Sequence, residues 1–377
     1  MEFRDLKKQY RILQEEIDTS IRDVVENAAF IHGSAVPELE EKLARYVGVR
    51  HCISCANGTD ALELALMAWE LGPGDAVIVP DFTFFSTAEA VSRVGATPFF
   101  TDVDANTYNL DPDSLREDIL RIEREGKYRL RAVISVDLFG LPADYDRILP
   151  LVKEHGLLLL EDGAQGFGGT LRGRKACSFG DISTTSFFPS KPLGCYGDGG
   201  AVFTDDDAWA ERIRSLTVHG KGQSKYDNVR IGMNSRLDTI QAAALLVKLK
   251  ALERHELQDV NRCAARYSEL LRELPVSLPE VPEGFRSAWA QYTIQLEKGT
   301  NRAVVQEKLR AAGIPSMIYY MKPMHLQGAY TGTDSAKACC PVSEDLSERV
   351  LSLPIDPYKT EEELTEVKNA LACALEG

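Results

Sequence analysis

The sequence predicts an α/β protein, with a large domain over residues 1–250 built on a mostly parallel central sheet and a smaller α+β domain over 251–377. Three observations predict this. Short apolar runs alternate with amphipathic stretches through the first two-thirds of the chain. Most runs are continuously apolar, as strands covered on both faces are. The chain has 377 residues, and at about 150 residues per domain two domains are expected.

The predicted strands are 76–80, 97–101, 131–136, 156–160, 181–186 and 200–204, with helical stretches at 59–70, 84–93 and 144–155 between several of them. In such sheets ligands bind beyond the carboxyl ends of the strands. Ser235 with Asp238 three residues on resembles a capping box. A long connecting helix follows to about residue 274, through Leu237, Ile240, Ala244, Leu245, Leu249 and Leu252. Pro275 to Pro282 reads as an irregular boundary. Ala290, Tyr292, Ile294 and Leu296 alternate with polar residues like a half-buried strand. Asn301 can cap a helix that Gly313 ends, and Thr360-Glu-Glu-Glu363 opens the last helix.

Lys plus Arg number 43 and Asp plus Glu 57, a net charge of −14. An acidic chain without a basic run is a poor binder of nucleic acid or anionic membranes. No stretch has the length and apolarity of a membrane span, and Met1-Glu-Phe-Arg-Asp lacks a signal-peptide core. The eight cysteines are too sparse for a disulfide scaffold, and Cys52 and Cys55 have no second pair at zinc spacing. The expectation is a cytoplasmic protein without a metal site.

Four candidate sites lie past strand-like runs or at helix starts. Asn57-Gly-Thr-Asp60 opens an apolar helix, where free N–H groups and the helix dipole suit a phosphate; read alone, it is a plain N-cap. Asp162 ends a buried run and needs a partner, either a helix N-terminus or a cationic ring nitrogen. Lys191, between Ser190 and Pro192 in a Gly- and Pro-rich loop, is unlike a solvated helix lysine, and a lysine near apolar groups can form Schiff bases. Pro80-Asp-Phe-Thr-Phe-Phe85 places aromatics after a strand, where they either stack on a flat ring or fill core. Together the four describe pyridoxal phosphate (PLP): Lys191 holding the aldehyde as an imine, and Asp162 keeping the pyridine nitrogen protonated. Lys191, once freed, would shuttle the proton at Cα.

The chain resembles the DegT/StrS family of sugar aminotransferases, PLP enzymes of fold type I. The motifs that carry the likeness run nearly end to end. They are Phe3-Arg-Asp-Leu-Lys-Lys-Gln9, Asn57-Gly-Thr-Asp-Ala-Leu62, Pro80-Asp-Phe-Thr-Phe84, Glu161-Asp-Gly-Ala-Gln165, Ser186-Phe-Phe-Pro-Ser-Lys191, Gly232-Met-Asn-Ser-Arg-Leu-Asp-Thr-Ile-Gln-Ala-Ala243 and Tyr320-Met-Lys-Pro-Met-His325. The resemblance implies that Lys191 carries the imine, Asp162 pairs with the ring nitrogen and Gln165 meets the phenolic oxygen. It implies that Gly58, Thr59 and Ser186 hold the phosphate and that Phe84 stacks on the ring. Asn234 would reach the neighbouring subunit's phosphate, making a homodimer with shared sites. Arg236 would bind a substrate anion or support its loop, and Tyr320 and His325 would line the sugar site. Many relatives carry Ala at the position of Gly163. Dehydratase relatives carry His where this chain keeps Lys191.

What the resemblance implies is amino transfer from glutamate, through pyridoxamine phosphate, to a keto nucleotide sugar. Cys52 to Asp60, Thr107 to Pro112 and Asn234 to Thr239 are most similar to enzymes that aminate C3 of a UDP-linked 2-acetamido-3-keto-glucuronate for surface polysaccharide, including lipopolysaccharide. Arg236 or Lys322 would meet the sugar carboxylate. The alternatives are a UDP- or dTDP-4-keto-6-deoxy sugar as acceptor, a lyase or dehydratase, and a non-catalytic PLP-binding regulator.

Overall fold

The computed structural model describes residues 1–224 and 226–376. Helices α1 (Leu6–Glu26) and α2 (Ala35–Val47) precede the sheet strands β1 (His51–Cys55), β2 (Asp75–Pro80), β3 (Thr97–Thr101), β4 (Arg129–Val136) and β5 (Leu158–Asp162). A small hairpin, β6 (Thr170–Leu171) and β7 (Arg174–Lys175), leads to β8 (Ile182–Ser186) and β9 (Gly200–Thr204). The seven-stranded sheet runs β1-β9-β8-β5-β4-β2-β3. Only β9 is antiparallel to its neighbours, so the carboxyl ends of the other six share one edge.

Alternate residues of each strand enter cores on opposite faces, which is why the runs read as continuously apolar. Val77, Val79, Ile134 and Leu160 pack under α3 (Gly58–Ala68), α4 (Ser86–Arg93) and α7 (Asp207–Leu216). Ala76, Ile78, Val133 and Leu159 pack under α5 (Pro112–Glu125) and α6 (Tyr145–Glu154). Each such valine, leucine or isoleucine contributes about 1.5–3 kcal/mol on burial. Leu245 and Leu249 of α8 (Thr239–Ala251) pack with Leu43 of α2 behind β1 and β9.

From α8 the chain passes through a π-helical turn, Leu252–Glu256, into α9 (Leu257–Leu271) without leaving the helix. Beyond it lie β10 (Val276–Ser277), β11 (Phe285–Arg286), β12 (Tyr292–Leu296), α10 (Arg302–Ala311), α11 (Pro341–Arg349), β13 (Val350–Leu353) and α12 (Glu361–Leu375). Strands β10, β12 and β13 form an antiparallel sheet on a core that includes Tyr267, Ile294, Leu351 and Leu371. No helix among the described residues is long and apolar enough to cross a membrane.

Several expectations need correction. The fifth strand is shifted by two residues, because Gly156 turns in the left-handed region at φ 63° and the strand starts only at Leu158. Asp162 is therefore the strand's last residue. Strand β12 is buried throughout: Thr293 bonds Ser352 at 2.8 Å and Gln295 donates to Ala105 O at 2.6 Å, so its polar positions are satisfied inside. No capping box forms at Ser235, whose hydroxyl instead accepts the Ala56 N–H at 3.0 Å. Asn301 and Thr360 do cap, and Thr360 completes a capping box with Glu363.

Candidate active site

Strand ends bring the predicted residues to one edge of the sheet. Cys55 and Ser186 both pair with Gly200, so the turn after β1 lies against the end of β8. A Cβ on Gly58 would stand 2.7 Å from Ser186 Cβ, and one on Gly200 would stand 2.5 Å from Asn57 O. Only glycine permits that approach. Asn57 spends its carboxamide oxygen on the Asp60 N–H at 2.8 Å. The first N–H groups of α3, on Gly58 and Thr59, have no helical acceptor, and with Ser186 against Gly58 they are free to bind an anion.

Asp162 is 5 % exposed. Its Oδ2 accepts from Thr87 Oγ1 at 3.0 Å and its Oδ1 from Ala164 N at 3.2 Å. Burial raises its pKa, and these two donors and Lys191 only partly oppose that. Thr87 itself lies 3.2 Å from the Thr83 hydroxyl. Both threonines sit around the start of α4, so the aromatic loop and the carboxylate are tied together. Desolvation pulls the Lys191 pKa down to about 8, against the opposing charge of Asp162.

The loop that carries Lys191 is gripped from behind. Buried Lys248 donates to Gly194 O at 2.8 Å, and Gln241 bonds Tyr196 through both its N–H and its C=O. Gln165 bridges two segments, accepting from Phe139 N at 2.9 Å and donating to Tyr320 Oη at 3.1 Å. Phe84 lies just before α4 rather than inside it, 54 % exposed, with its ring 6.3 Å from that of Tyr320.

The other predicted residues divide. Asn234 is exposed and Arg236 half-buried, on the segment whose Ser235 is bonded to Ala56. His325 is enclosed: its N–H meets Asp81 Oδ1 at 2.8 Å, and its Nδ1 meets Asp81 Oδ2 at 2.6 Å. Asp81 also accepts the Met324 N–H through its carbonyl. The carboxylate raises the His325 pKa, and the pair clamps the Tyr320 loop to the end of β2. The imidazole expected to line the sugar site has Asp81 on Nδ1 and Glu344 3.5 Å from Nε2.

Gly163 has a physical explanation. Its Cβ would fall 2.4 Å from Cys177 Sγ, so the buried thiol fills the volume that an alanine methyl would take. Gly163→Ala is expected to lower stability by about 1–3 kcal/mol through overpacking. Adding Cys177→Ala should return most of that loss, and a double-mutant cycle in urea measures the coupling.

These residues fit pyridoxal phosphate. The glycine-lined cradle beside Ser186 suits its phosphate, a buried carboxylate suits a cationic ring nitrogen, and a desolvated amine suits an aldehyde. A model of the DegT/DnrJ/EryC1/StrS aminotransferase family matches residues 11–372. The chain belongs to that family. A Pseudomonas aeruginosa UDP-2-acetamido-2-deoxy-3-oxo-D-glucuronate aminotransferase is 43% identical over 358 residues, 95% of this chain and 96% of that protein. An Acidithiobacillus ferrooxidans UDP-N-acetyl-3-dehydro-alpha-D-glucosamine 3-aminotransferase is also 43% identical, over 99% of this chain and 97% of its own. The crystal structure of a family aminotransferase from Brucella abortus superposes with a TM-score of 0.96 at 48% identity and covers both chains fully. The protein is thus an aminotransferase of the α/β type that the sequence predicts.

Proposed function

We propose that this aminotransferase uses pyridoxal phosphate to move an amino group from glutamate to C3 of a UDP-linked 2-acetamido-3-keto sugar, a glucuronate by preference, for surface polysaccharide. The observation that carries the position is that two relatives of equal identity are both named for a 3-oxo or 3-dehydro UDP sugar. The cofactor, when bound, supplies the electron sink that lets Cα lose its proton.

Each residue has a part. Lys191, with a pKa of about 8, is partly neutral near that pH, so its Nζ can attack a carbonyl carbon and later hold a proton taken from Cα. Asp162 sets a negative charge against the ring nitrogen, and Thr87 and the Ala164 N–H fix its orientation. Gly58, Thr59 and Ser186 hold the phosphate, Phe84 covers the ring, and the second N–H of Gln165 meets the phenolic oxygen. Tyr320 and Arg236 face the sugar, and Asp81 with His325 holds the Tyr320 loop in place. Asn234 completes the phosphate site of a second copy, in a cytoplasmic homodimer.

The test is an amination assay on UDP-linked 3-keto and 4-keto sugars, with glutamate and other donors. Turnover of the 3-keto substrates at least about tenfold above the 4-keto set is expected, a difference of about 1.4 kcal/mol. Reaction with 4-keto sugars alone overturns the position.

A further inference from the structure

The segment before α1 crosses the same region as the Lys191 loop. Phe3 packs edge-on against Tyr319 at 6.4 Å, beside Tyr320. The segment is pinned on both sides of Arg4, with Lys359 Nζ on Glu2 O at 2.9 Å and the Asp5 N–H on Asp356 Oδ2 at 3.0 Å. Arg4 itself is unsatisfied. Its Nη1 is sealed from solvent without an acceptor, and no hydrogen bond or ion pair reaches its guanidinium among the described residues.

The neighbouring acids are committed elsewhere. Asp356 takes Lys359 at 3.1 Å, the Asp5 N–H and the Tyr358 N–H. Glu256 takes Gln9 Nε2 and Tyr358 Oη. Arg4 is also close enough to Lys191 for its charge to favour the neutral amine. A guanidinium nitrogen sealed from water without an acceptor is costly, and an acceptor from outside the polypeptide would offset that cost. The fork of a guanidinium matches a carboxylate.

We propose that Arg4 is a substrate-binding residue that takes a carboxylate of a reactant delivered to Lys191. The inference rests on the aminotransferase reading and extends it, because that reading gives Arg4 no role. The carboxylate comes either from the amino donor or from C6 of the sugar, and the two sources are separable.

The experiment uses the PLP-loaded full chain as wild type, Arg4→Met and Arg4→Lys. The glutamate half-reaction is followed by the visible absorbance of the cofactor. The sugar half-reaction is followed with UDP-2-acetamido-3-keto-glucuronate and with its neutral 3-keto-glucosamine counterpart. Arg4→Met should raise the half-saturating concentration of one carboxylate substrate by 10- to 100-fold and leave the neutral sugar unchanged. A rise for glutamate assigns the donor, and a rise for the glucuronate assigns the sugar. Arg4→Lys should recover part of the loss. Melting of the ligand-free protein should be unchanged or higher in Arg4→Met, because a half-buried charge with a sealed, unpaired nitrogen has been removed.

Equal weakening of both sugars, no weakening of any substrate, or a fall in melting temperature with every substrate affected alike overturns the proposal. Calorimetric titration with glutarate gives an arm independent of turnover. If wild type fails to react with glutamate while glutarate still binds wild type more tightly than Arg4→Met, the aminotransferase reading falls and the anion site stands.

Discussion

Replacing Lys191 with alanine is expected to lower amination by about 10³-fold or more and to remove the borohydride-trapped adduct from the peptide that contains residue 191. Both readouts depend on the same Nζ. The side chain has no substitute nearby: Lys248, also with a pKa lowered to about 8, is held on Gly194 O behind the loop. Stability should move the other way. The folded pKa of Lys191 lies below its ordinary value, so the group contributes stability only above its unfolded pKa and loses it as pH falls through about 8. Ligand-free Lys191→Ala should therefore melt no lower than wild type at pH 7, and any advantage should shrink as pH rises past 8. Thermal melts of the cofactor-free proteins across pH 7 to 10 check the sign. Retained amination with an unmodified residue 191 would remove the basis of the proposed chemistry.

Much of this site was legible because each piece lies at the carboxyl end of an apolar run, where a parallel sheet gathers its functional side chains. Asp162 and Ser186 end β5 and β8. Gly58 opens the helix after β1, and Lys191 follows β8 by a short loop. What stayed illegible depends on contacts across the chain. Strand β1 is absent from the predicted strands because His51-Cys-Ile-Ser-Cys55 is short and mixes polar with apolar residues; its two cysteines are buried in the sheet. Ser235 looked like a helix cap, but its acceptor capacity goes to Ala56, 179 residues away. Thr87 was hidden in an ordinary helical stretch, and only folding brings it to Asp162. Its position three residues after Phe84 was the one available signal: a hydroxyl on the first turn of the helix that follows the ring-covering loop. The Gly163 and Cys177 pair shows the same limit, since one residue's missing methyl is another's thiol, 14 positions on.

Asp162→Asn should be nearly as damaging as loss of the lysine, with turnover lower by about 10²–10⁴-fold while the cofactor stays bound. The substitution keeps the shape and the ability to accept from Thr87 or Ala164, but it removes the negative charge that a cationic ring nitrogen needs. The cost of that charge is visible in the ligand-free protein, where burial raises the Asp162 pKa. A carboxyl whose folded pKa is raised contributes stability below its unfolded pKa and loses it as pH rises through the folded value. Holding Asp162 ionised is therefore a burden until a cation faces it. Ligand-free Asp162→Asn should melt at or above wild type near pH 7, with the two converging at acid pH. Cofactor should raise the wild-type melting temperature more than that of the variant, because only the carboxylate gains a charged partner on binding. Opposite movements of turnover and ligand-free stability at one residue identify a group placed for chemistry at the expense of the fold. A variant that lost both together would assign Asp162 a structural role instead.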